Sequence, residues 1–253
     1  GTATTAALDL MLSHLTLDSS VPYAIATNVA TSSFKAASDT SGNKALSVIM
    51  KSAASNSDLV FKDCFITSLT LSGDAGTEGG RVKFSATFQS GTKVASGELT
   101  ATDVAVDTAI TANDYFMSGW DADDRIIAGV ANGVISSFSL TVDNPLTFSG
   151  IASTGYEQAI RSGEISATAS FSVLYDDNFL DMFERFNTTQ AAGATTGATL
   201  MNHQASLANE YFGFKFPKSI ITEVSFNEGS SMMLDVSVKA IGSGSADLFE
   251  IAC

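Results

Sequence analysis

The chain of 253 residues carries 27 acidic against 13 basic side chains, a net charge of -14, which argues against a surface that binds nucleic acid by neutralising phosphates with Lys and Arg. A hydrophobic content of 45% argues against disorder, and the length permits one large β domain or two smaller ones. Two cysteines, Cys64 and Cys253, cannot build the disulfide framework of a small secreted domain, which fits a reducing compartment.

Ala6 to Leu17 is apolar but contains Asp9 and His14, lacks a basic leader and is too short to span a bilayer, so neither signal peptide nor membrane anchor is expected. Leu8, Met11, Leu12 and Leu15 have helical spacing, which fits a short helix or an arm lying on another subunit. Short strands are expected at Val21 to Thr27 and Ser32 to Ala37, then a turn at Ser41-Gly42-Asn43 and a strand from Ala45 to Lys51. Phe65, Leu69 and Leu71, followed after SGDAGTEGG by Val82, Phe84, Ala86 and Phe88, predict a hairpin. Glu98 to Asp124 is the most acidic part. Asp121, Asp123 and Asp124 offer oxygen ligands, but the glycine and terminal glutamate of an EF-hand loop are missing, so a solvated loop is expected.

The clearest strand signals follow. Phe138, Leu140 and Val142 alternate with Ser137, Ser139 and Thr141, and Ile165, Ala167, Ala169, Phe171 and Val173 alternate with Glu164, Ser166, Thr168, Ser170 and Ser172. Both runs have one buried and one wet face and should pair. Asp176 and Asp177 can cap a helix bearing Phe179, Leu180, Met182, Phe183 and Phe186. Gln190 to Thr199 reads as a loop, Phe212, Phe214 and Phe216 as a strand ending at Pro217, and Ile220, Val224 and Phe226 as the next strand, turning at Asn227-Glu228-Gly229. Met232, Leu234, Val236, Val238 and Ala240 make the last strand, with Ser231, Asp235, Ser237 and Lys239 opposite; Gly242 to Cys253 is weakly patterned.

A catalytic centre has little to draw on. The only histidines are His14 and His203, and no nucleophile elbow, phosphate loop or zinc motif is present, so no enzyme, cofactor or metal is expected; a pair of carboxylates brought together by the fold would be invisible at this level.

The order strand, long loop, strand, helix, with SLTVDN, the turn IRSG and ASFSVLYDDNFLDMF, resembles the tail tube proteins (major tail proteins) of tailed bacteriophages. FKFPKSIITEVSF, GSSMMLDVSVKA and, more loosely, FKDCFITSLTLSG with RVKFSATF extend the likeness over most of the chain. The resemblance implies two antiparallel β-sheets packed as a sandwich or barrel with a short flanking α-helix. It implies subunits that form homo-oligomeric rings, stacked into a tube in the virion tail, assembled in the host cytoplasm. Its partners would be other copies, the tape measure and other tail proteins, with viral DNA passing through without adhering and no membrane involved. FITSLTLS matches VISSFSLT in residue type and KFSATF resembles EISATASF, so the chain is either duplicated, with halves 1–125 and 126–253, or shows the common likeness of Ser/Thr-rich strands. A ring of six copies and a pseudo-hexameric ring of three both remain open.

Under this resemblance the wet faces are expected to line the lumen with Ser137, Ser139, Thr141, Glu164, Ser166, Thr168, Ser170, Asp235 and Ser237, because hydroxyls and carboxylates offer phosphates no anchor. Lys239 shares the face of Asp235. The long loops, represented by Gly73, Asp74, Glu78, Asn144, Tyr156, Glu157 and Thr195, are expected to contact the next ring or a neighbouring subunit and to order on assembly. The alternative is a surface adhesin or carbohydrate-binding β-sandwich, for which Trp120 is the best candidate residue.

Overall fold

The computed structural model describes residues 11–12, 15, 17–20, 24–25, 28–29, 33–36, 46–50, 59–77, 80–90, 95–96, 125–131, 134–149, 158–161, 163–175, 182, 184, 186, 197–202, 213–228, 232–241 and 248–252. Its strands, in chain order, are β1 (Leu17–Ser20), β2 (Ala24–Ile25), β3 (Asn28–Val29), β4 (Ser33–Ala36), β5 (Leu46–Met50), β6 (Leu59–Asp74), β7 (Lys83–Ser90), β8 (Ala95–Ser96) and β9 (Ile126–Ile127). They continue with β10 (Val130–Ala131), β11 (Ile135–Asp143), β12 (Leu146–Ser149), β13 (Gln158–Arg161), β14 (Ser166–Leu174), β15 (Gly197–Asn202), β16 (Gly213–Glu228), β17 (Met232–Ala240) and β18 (Glu250–Ala252).

Fourteen strands share one antiparallel sheet, whose main path runs β1-β4-β18-β16-β17-β14-β11-β6-β5; β7 and β8 pair with β6, and β15 pairs with β16. β12–β13 and β2–β3 are separate two-stranded ribbons. The strands expected in two sheets are therefore hydrogen-bonded into one. The cause is the length of β6 and β16, 16 residues each, against about 5–6 for an ordinary strand. β6 pairs with β5 from Leu59 to Cys64 and with β11 from Ser68 to Asp74, and β16 pairs with β18 at its start and with β17 from Ser219 onward. Pro217 does not end a strand, contrary to expectation. Its missing N–H falls where the β15 register shifts between Thr199↔Phe216 and Gly197↔Ser219, before β17 begins to pair at Ser219. The weakly patterned tail contains β18, too short to show a period.

The core follows the alternation. Phe138, Leu140 and Val142 of β11, Ala167, Ala169, Phe171 and Val173 of β14, and Leu234, Val236 and Val238 of β17 are all buried. Phe214, fully buried near the start of β16, stacks on Phe138 with centroids 6.2 Å apart and on Phe171 at 6.3 Å, so the start of β16 lies over the apolar side of β11 and β14. Met182, Glu184 and Phe186 have helical backbone, with Met182 in the core; the rest of the helix expected after Asp177 lies outside the described residues. Met11 and Leu12 are also helical, and Leu12 and Leu15 are buried.

Three hairpins share one irregularity. The register of β6 on β7 shifts between Ile66 and Ser68, that of β11 on β14 between Ile135 and Ser137, and that of β16 on β17 between Ile221 and Glu223. The extra residue is Thr67, Ser136 or Thr222, and its hydroxyl donates across the hairpin to the carbonyl of Thr87, Ser172 or Ser237 at 3.3, 3.0 and 3.1 Å. A bulge moves the side-chain phase by one residue. Ile66 and Leu69 thus both reach the core, as do Ile135 and Phe138; Ile221 is buried and Val224 packs against the core. Ile220, before the bulge, sits opposite Lys239.

Candidate functional site

The opposite face of β16, β17, β14, β11, β6 and β7 is polar and continuous. Directly opposed residues in an antiparallel sheet project to the same side, so the registers write out its rows. One row runs Glu223, Ser237, Ser170, Ser139, Ser72, Lys83, and the next Ser225, Asp235, Ser172, Ser137, Asp74. Below them run Ile220, the one apolar side chain in these rows, then Lys239, Thr168, Thr141, Thr70, Ser85, and after that Ser166, Asp143, Ser68, Thr87. Hydroxyls bond sideways along the rows: Thr70 Oγ1 lies 3.0 Å from Thr141 Oγ1, and Ser170 Oγ 3.1 Å from Ser237 Oγ. Asn227 Nδ2 donates to Asp235 Oδ2 at 3.2 Å.

Two depressions mark this surface. One, of about 390 Å³, is lined by Ser139, Ser170, Ser172, Glu223, Ser225 and Asp235 among others; the second, of about 300 Å³, by Ser72, Asp74, Thr77, Arg81 and Lys83. Both include Ser137 and Phe138, so they adjoin. The rows hold four carboxylates, Asp74, Asp143, Glu223 and Asp235, against two ammonium groups, Lys83 and Lys239.

Of the residues expected on a lumen face, Ser137, Ser139, Thr141, Ser166, Thr168, Ser170, Asp235 and Ser237 are brought together here. Glu164 is exposed but precedes β14 and takes no place in a row, because the alternation continues in the sequence past the point where pairing begins. Sequence reasoning missed Asp143, Glu223 and Lys83. Lys83 was legible in KFSATF, whose Lys83, Ser85 and Thr87 alternate with the half-buried Phe84, Ala86 and Phe88; Glu223 was hidden by the bulge.

The residues assigned to loops fare differently. Gly73 is buried inside β6, opposite Phe138, and Asp74 ends that strand and accepts bonds from Gly76 N at 2.8 Å and Thr77 Oγ1 at 3.3 Å, which closes the turn locally. Asn144 is fully buried: its Nδ2 donates to Leu15 O at 3.1 Å and its N–H to Thr67 O at 2.8 Å, so it ties parts of the same chain together. The stretch after it contains the β12–β13 ribbon, and the loop at 190–199 gives way to β15 at Gly197. Glu78, Tyr156, Glu157, Thr195, Trp120 and the acidic run from Glu98 to Asp124 lie outside the described residues.

No helix among the described residues is long and apolar enough to cross a membrane. No curated protein sequence matches the chain. A family model described as phage tail tube protein matches residues 1–240, every residue of the polar rows included, and the chain belongs to that family.

Proposed function

We propose that the chain is the ring-forming subunit of a phage tail tube, and that its polar sheet face lines the lumen through which the genome leaves. The observation that carries this is the continuous hydroxyl surface over six neighbouring strands, with carboxylates outnumbering ammonium groups. DNA presents about one negative charge per 1.7 Å of helix axis, so a tube wall rich in Lys and Arg would hold it at every ring. Hydroxyls bind phosphate weakly, and at about 0.1 M salt the carboxylates act only within roughly 10 Å, which repels the duplex at close approach and leaves it free to slide. The sheet doubles over through β6 and β16, with Met182 packed on its apolar side. Rings stack into a tube in the virion tail, assembled in the host cytoplasm around the tape measure and joined to other tail proteins.

Negative-stain microscopy of the purified protein tests the reading. Stacked rings or tubes with a central hole are expected; dispersed particles that bind a glycan array would support an adhesin instead.

A further inference from the structure

We draw no further inference here: the strongest candidate, the apolar patch at the end of the polar sheet where Val134 before β11, Leu174 of β14 and Met232 of β17 are exposed, carries nothing because nothing in the structure shows what covers it.

Discussion

Replacing Phe214 by alanine tests whether the start of β16 lies over the apolar side of β11 and β14. The ring is fully buried and meets Phe138 at 6.2 Å, Phe171 at 6.3 Å and Phe216 at 5.8 Å. Truncation removes the transfer free energy of the ring and leaves a cavity among partners held by the sheet on either side, which cannot close in freely. Buried Phe→Ala changes cost about 3–5 kcal/mol, and the favourable ring contacts, each worth about 0.5–1.5 kcal/mol, place this site toward the upper end. For a chain of this size that lowers the melting temperature by roughly 6–20 °C. Urea unfolding of unassembled subunits, followed by circular dichroism, reads the loss directly, and the slope should be unchanged because the denatured state is little affected. A loss under about 1 kcal/mol, the range of surface substitutions, would refute the placement of β16 over β11 and β14.

Removing a bulge hydroxyl by Thr222→Val should cost about 1 kcal/mol, as should Ser136→Ala, since each gives up one hydrogen bond to a carbonyl, Ser237 O or Ser172 O; denaturant midpoints should show the two effects to be alike. Asn144→Ala leaves Leu15 O without that donor in a buried place and should cost about 1–3 kcal/mol by thermal melting. Glu223→Lys with Asp235→Lys reverses the charge balance of the polar face, and tubes are expected to assemble yet hold DNA or slow its ejection; normal ejection from tubes shown to contain the variant would mean that this face does not see the genome.

The strands that sequence reading located best are those with uninterrupted alternation. β11, β14 and β17 keep Phe138 to Val142, Ala167 to Val173 and Leu234 to Val238 on one side, and the period of two reveals both faces at once. β6 and β16 were harder to read, because a bulge reverses the phase within each. Phe65 counts as a core residue by alternation with Leu69, yet it meets Phe148 of the β12 ribbon while Ile66 enters the main core. The polar face was legible strand by strand. Its extent was not, because which strands adjoin is decided by pairing between distant segments, so Asp143, Glu223 and Lys83 join the site only through the registers. The β12–β13 ribbon was read as a loop, since four-residue strands carry too short a period.

Electron cryomicroscopy of assembled tubes would show which way the polar face looks. The density of β7, β6, β11, β14, β17 and β16 is expected to surround the channel, with Ser139, Ser170 and Asp235 facing the open lumen and Phe138 and Phe171 turned into the wall. Tubes in which that polar face lies on the outer surface, or is buried between stacked rings, would contradict it.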